Sequence, residues 1–248
     1  MNPQPDSYST GPRVLLLPGA WMGSWIWEPI AETLRSRGLG AQAVTLAGLE
    51  PDAAAGQRAA VRLADHVDQV SILAAHGSPV VLVAHSYSGM VAAQVADRLG
   101  DQVRSTIHFQ SFLPVDGLSL IDLWGPDGGA RAQERADIIA DGCLWAAPPA
   151  AALDAEPGLS ADDRSCLAGR FTPHPGRTVL DQASLEQPVD SQHGVFVTRS
   201  RAQLPAALVG AADWRIEILP GGHWPMLEHP GEVTELIGDH TAAVDSLL

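Results

Sequence analysis

Short apolar runs alternate with segments of helical periodicity along most of the chain. Arg13-Val14-Leu15-Leu16-Leu17 reads as a buried strand that stops at Pro18-Gly19. Trp25 to Ser36 carries Ile26, Ile30 and Leu34 at helical spacing, and Gly38 and Gly40 close it. Ala43 to Leu46 reads as a second strand. Residues 57–76 repeat apolar positions at Val61, Leu63, Val67, Val70 and Leu73, which predicts one helix. Val80–Val83 is the next strand, and Val91–Leu99 a helix ended by Gly100. Ser105 to Phe112 forms a strand that stops at Pro114. After a looser stretch, Gly194–Thr198 and Ile216–Leu219 return as strands, and Glu232 to Leu248 reads as a closing helix.

Strands apolar on both faces, alternating with helices, predict a mostly parallel sheet covered by helices on both sides, an α/β fold. Such sheets carry ligands at the carboxyl ends of their strands. Chemistry is therefore expected in the loops after Leu17, Leu46, Val83 and Phe112. Residues 13–113 and 194–248 supply this core. Residues 114–193, rich in Ala, Pro and Asp with a helical piece over Gly129–Ala140, read as a cap inserted above it. Residues 1–12 read as a disordered leader.

Charge narrows the function. The chain has 29 acidic against 15 basic residues, a net charge of −14, which argues against a nucleic-acid partner. Every base is arginine, so a lysine Schiff base and a P-loop lysine are excluded. Cys143 and Cys166 lack metal-type spacing and read as reduced thiols, with one disulfide as the alternative. There is no signal-peptide pattern and no apolar run of membrane-spanning length. The expectation is a cytoplasmic protein, monomer or homodimer, with a small-molecule substrate and without cofactor, metal or membrane partner.

Three motifs carry candidate chemistry. In VVLVAHSYSGMVA a strand runs into a small-residue turn centred on Ser86, then into a helix. This is the layout of a nucleophile elbow, G-x-S-x-G, with Ala84 and Ser88 in place of its glycines. Both replacements are small, and Gly89 follows at once. The alternative is an ordinary strand–helix turn. In Pro18-Gly19-Ala20-Trp21-Met22-Gly23 a glycine-rich turn can aim backbone N–H groups at an oxyanion; Ala20 and Tyr87 are the best-placed donors. In Gly221-Gly222-His223-Trp224-Pro225 a histidine follows the last strand, where it can reach a serine at the strand ends as general base. His85 and His108 read as structural.

Together the stretches VLLLPGAWMGSWIWEPI, VVLVAHSYSGMVA, FLPVDG, RFTPHP and LPGGHWPMLEHP make the chain resemble the α/β-hydrolase superfamily, within it the methylesterase/hydroxynitrile lyase-like group and its bacterial relatives. The resemblance implies an acyl-transfer site under a helical cap. It carries over Ser86 as nucleophile, His223 as base, and the backbones of Ala20 and Tyr87 as oxyanion donors. The two positions where relatives hold the acid of the triad fall on Ser200 and Gln110, both uncharged. Asp116 is the nearest carboxylate in sequence, although a Pro-Val-Asp-Gly aspartate more often caps its own turn. Hydroxynitrile lyases of this group hold cyanide with a lysine, where this chain has Trp224; cyanogenic activity is not expected.

Gly19, Trp21, Trp124, Trp145 and Trp224 are expected around a broad apolar pocket, the alternative being core and cap packing. The leading expectation is a serine esterase or lactonase of a small apolar ester. The missing acid motivates a second, a non-hydrolytic cyclase, lyase or isomerase with His223 as acid/base. A small-molecule receptor ranks third.

Overall fold

The computed structural model describes residues 11–246. Six strands form the main sheet: β1 (Arg13–Leu17), β2 (Ala41–Ala43), β3 (Val80–His85), β4 (Val103–Phe109), β7 (Gly194–Thr198) and β8 (Trp214–Ile218). Their order is β2-β1-β3-β4-β7-β8, and every neighbouring pair is parallel. Parallel neighbours need crossovers, which the helices supply. α1 (Glu28–Ser36), α2 (Ala55–Ala60), α3 (Leu63–Ala75) and α4 (Gly89–Leu99) lie in such crossovers, and α10 (Pro225–Glu228) and α11 (Pro230–Asp245) follow β8 and pack on the sheet.

The central strands β1 and β3 are largely apolar because both faces are buried. Leu15, Leu17, Val80 and Leu82 enter one core cluster with α3 and α4. Val14, Leu16, Val81 and Val83 enter another with α1 and α11. Between β4 and β7 lie α5 (Leu120–Leu123), α6 (Gly128–Ala140), α7 (Ala150–Asp154), α8 (Ala161–Arg170) and α9 (Arg177–Leu180). The same stretch holds a two-stranded antiparallel pair, β5 (Leu144–Trp145) and β6 (His174–Pro175).

Several boundaries differ from the sequence reading: β4, expected over Ser105–Phe112, ends at Phe109, and β8, expected over Ile216–Leu219, runs Trp214–Ile218. The second strand pairs over Ala41–Ala43, and Thr45 instead turns its hydroxyl to the Ser24 N–H at 2.9 Å. The helix expected over 57–76 is two helices, broken where Val61 and Arg62 are extended. Arg62 there reaches Asp181 with two hydrogen bonds, at 2.9 and 2.7 Å, a long-range contact that overrides local periodicity. The first helix begins at Glu28 after a short 3₁₀ turn, with Pro29 in its first turn. The leader expected over 1–12 falls, up to residue 10, outside the described residues.

Gly89 opens α4 directly behind the elbow. A Cβ there would stand 2.1 Å from the Phe112 carbonyl oxygen and 2.6 Å from Ser111 Cβ. Gly89→Ala is therefore expected to destabilise the fold by about 3 kcal/mol, the upper range for overpacking, because the obstacle is backbone. Urea denaturation of the two proteins measures it.

Candidate active site

Ser86 sits between β3 and α4 with φ of 51°, the left-handed region that a non-glycine residue adopts at a cost of about 1–3 kcal/mol. The surrounding structure holds it there. Ser86 O accepts from Phe112 N–H at 3.0 Å, and the Ser88 hydroxyl donates to the Pro18 carbonyl. Ser88 thus ties the elbow to the loop after β1, a bond that glycine at this position could not make. Gly19 lets the two loops close: a Cβ on it would lie 3.1 Å from Ser86 Cβ and 2.7 Å from His85 Nδ1.

His223 follows β8 in the turn before α10. Its backbone is held from both sides by side chains, some of them distant in sequence. Glu156 accepts from the His223 N–H, and Glu228 from Gly222 N–H at 2.5 Å and Trp224 N–H at 3.2 Å. Gln110 Nε2 donates to Gly222 O at 2.6 Å, and His85 Nε2 donates to His223 O at 2.8 Å. A Cβ on Gly222 would meet Pro157 O at 2.2 Å and Glu228 Oε1 at 2.6 Å, so the cage closes only around glycine. His85, expected to be structural, therefore supports the loop of the candidate base.

A cavity of about 280 Å³ brings most of the candidates together. Ala20, Trp21, Ser86, Tyr87, Trp124, Trp145, His223 and Trp224 all line it. Trp21 and Trp145 pack with ring centroids 4.3 Å apart, and the Trp21 indole N–H donates to Trp145 O at 3.0 Å. Glu156 adds the one carboxylate on this wall.

The candidate third members lie elsewhere. Asp116 is exposed and its carboxylate accepts from the Leu185 N–H at 2.9 Å. Ser200 is exposed on the segment after β7. Gln110 also has a left-handed φ, 47°, and lines a second cavity of about 250 Å³ with Thr198, Arg199 and His223. Arg199 lies 3.6 Å from Glu156 and faces His223 with its charge. Burial first, and the Arg199 charge second, push the His223 imidazole down to about 4. A neutral imidazole is the form that accepts a proton, so the ring is in its basic state across the neutral range.

Sequence reasoning missed Glu156, Glu228 and Arg199. Glu228 could have been suspected from its place in the first turn after GGHWP, since a carboxylate there faces free N–H groups. Glu156 and Arg199 carry no local signal. Cys143 and Cys166 are free thiols. Among the described residues no cluster of His, Cys, Asp or Glu is arranged to hold a metal ion, and no helix is long and apolar enough to cross a membrane.

The chain is similar to known proteins over nearly its whole length. It is 29% identical over 252 residues to a carbendazim hydrolyzing esterase of Nocardioides sp. (strain SG-4G), covering 89% of this chain and 96% of the relative. Its fold matches that of an extracellular alpha/beta-hydrolase from a Paenibacillus species, described as homologous in structure and function to tobacco salicylic acid binding protein 2. That match has a TM-score of 0.75 at 19% identity and covers 92% of this chain and 98% of the other. It also matches a pyrethroid hydrolase from Sphingobium faniae JZ-2, with a TM-score of 0.66 at 16% identity over 94% and 98% of the two chains. The alpha/beta hydrolase family pattern runs through residues 14–236, from β1 into α11, and the chain belongs to that family.

Proposed function

We propose that this protein is a carboxylic ester hydrolase that acts on a small, largely apolar ester through an acyl-enzyme. The observation that carries the reading is Ser86, held in a left-handed backbone at the end of β3 on an aromatic cavity that it shares with His223. His223 accepts the Ser86 hydroxyl proton as Oγ attacks the ester carbonyl. The N–H groups of Ala20 and Tyr87 stabilise the oxyanion. The leaving alcohol takes the proton back from His223, and water, activated in the same way, releases the acid. The esterase name of the Nocardioides relative supports this reaction class. A cavity of about 280 Å³ walled by tryptophans suits a compact ring-bearing or branched ester.

A fluorophosphonate probe tests the mechanism. The expected result is stoichiometric labelling of Ser86, identified by peptide mass, and its loss after pre-incubation with an ester that acylates the enzyme. A folded protein that takes no label on Ser86 overturns the reading.

One observation favours a second reading. Gln110 and Ser200 are uncharged, and Gln110 directs its amide to the Gly222 backbone. A base without a carboxylate partner suits proton transfer at a bound carbonyl, as in a cyclase, lyase or isomerase, with Ser86 only binding. Turnover that Ser86→Ala leaves undiminished supports this alternative.

A further inference from the structure

His174 lies in β6, between the helices of the segment above the sheet, and is fully buried. Its hydrogen bonds define one tautomer. The Thr178 hydroxyl donates its proton to Pro175 O at 2.7 Å, so at its 2.9 Å contact with His174 Nε2 it can only accept. Nε2 therefore carries the ring proton and Nδ1 is bare. The donor facing Nδ1 is the backbone N–H of Trp21, at 3.4 Å.

Trp21 is the residue after Ala20, and it holds a left-handed φ of 65°. A bulky residue in that region needs outside support. Its carbonyl accepts from the Thr172 N–H at 2.9 Å, two residues before His174. The peptide groups on both sides of Trp21 are thus clamped by the segment that ends in β6. One of them, the Ala20–Trp21 peptide, adjoins the proposed oxyanion donor of Ala20.

The other proposed donor belongs to Tyr87, and His174 touches that residue as well. The two rings meet edge to face with centroids 4.5 Å apart. The Tyr87 hydroxyl donates to His66 Nδ1 at 2.7 Å, and His66 Nε2 donates to Ala47 O at 2.8 Å. His174 therefore stands against Tyr87, one proposed donor, and against Trp21, the residue that follows the other, and it comes from a different part of the chain than either.

We propose that His174 is a positioning residue for the oxyanion site: by accepting from Trp21 N–H and bracing the Tyr87 ring, it sets both donors once β6 is seated. This rests on the hydrolase reading above. It adds that the segment between β4 and β7 helps to build the catalytic geometry besides shaping the pocket.

Three measurements test it. His174→Leu keeps an apolar side chain of similar reach but cannot accept a hydrogen bond. His174→Gln can accept from Trp21 with Oε1 and donate to Thr178 with Nε2. With a p-nitrophenyl ester, the Leu variant is expected to lose roughly 10–100-fold in kcat, the scale set by a displaced donor, with KM within about twofold. Its affinity for a trifluoromethyl ketone, which becomes an oxyanion on the serine, should fall by the same factor, and the Gln variant should recover most of both. In the parent protein, the Trp21 amide should exchange slowly with deuterium. The proposal is overturned if folded Leu and Gln variants behave alike, if the loss appears in KM with kcat held, or if the parent's Trp21 amide exchanges at the rate of an open loop. The last result decides the matter even if the Leu variant does not fold. A parent that hydrolyses no ester and takes no fluorophosphonate label fails the hydrolase reading instead, and the amide exchange still reports whether His174 holds the loop.

Discussion

Ser86→Ala is expected to abolish fluorophosphonate labelling and to lower kcat/KM for an activated ester by about 10²-fold. The size of the loss follows from what surrounds the serine. In a dissected serine-protease triad, removal of the serine costs about 2 × 10⁶ in kcat and removal of the acid alone about 3 × 10⁴. The members act as a unit, so a serine and histidine working without their acid retain only the ratio of these figures, about 10²-fold, over the site that lacks them. Here the positions that could supply the acid hold Gln110 and Ser200, and Arg199 places positive charge near His223. The remaining rate belongs to the oxyanion donors and the pocket. A drop near 10⁶ would instead show that another group activates the pair; Glu156, on the same cavity and bonded to the His223 backbone, is then the first to mutate. The measurement is steady-state hydrolysis by both proteins after each is shown to fold. The His223 imidazole, held near 4, stays neutral down to the pH at which the fold is lost, so the acid limb of activity should follow unfolding and not ring protonation.

Mild acid is expected to unfold the protein. His66, His85, His108 and His174 are all fully buried. Burial pushes His66 down to about 4 and His108 to about 3, and His85 and His174 well below the ordinary value. In the unfolded chain each returns to about 6.5. The unfolded state therefore binds more protons at any pH between those limits. Stability is fully present above about 6.5 and declines as the pH falls toward the folded values. Each histidine kept neutral in the fold while its unfolded counterpart protonates lowers stability by about 1 kcal/mol per pH unit, and the four act in the same direction. Urea midpoints at pH 7.5, 6.0 and 5.0 should fall steeply, with loss of the fold near pH 5. His108 makes the cleanest probe. Neither of its ring nitrogens has a partner, and it packs on Trp214 at 5.4 Å. His108→Leu should flatten the dependence by one proton. A flat stability curve from pH 7.5 to 5 would show that these histidines are solvated.

Much of the fold was legible because its signals are local. A short apolar run such as Val14–Leu17, followed by a helical pattern, fits a strand of a parallel sheet covered on both faces. Gly194–Thr198 and the helix over Gly128–Ala140 were placed within a residue for the same reason. Reading failed where a distant partner decided. Arg62 breaks the helix where it meets Asp181 and caps α3 with Asp65, and nothing within residues 57–76 announces the bond to Asp181.

The candidate site divides along the same line. Ser86, Gly89, Gly19 and the Gly221-Gly222-His223 turn were visible in sequence, since tight turns demand particular residue types. Their assembly was not. Glu156 meets the His223 N–H from 67 positions away, and His174 faces the Trp21 N–H from 153 positions away. Such pairs leave no trace in local pattern, because a buried backbone group needs a partner but does not specify where in the chain it comes from. By itself the sequence determined that a serine turn, a histidine turn and a glycine-rich loop would stand at the ends of parallel strands. Tertiary structure alone decided which side chains hold those loops, and it did so because buried polar groups must find their partners in space.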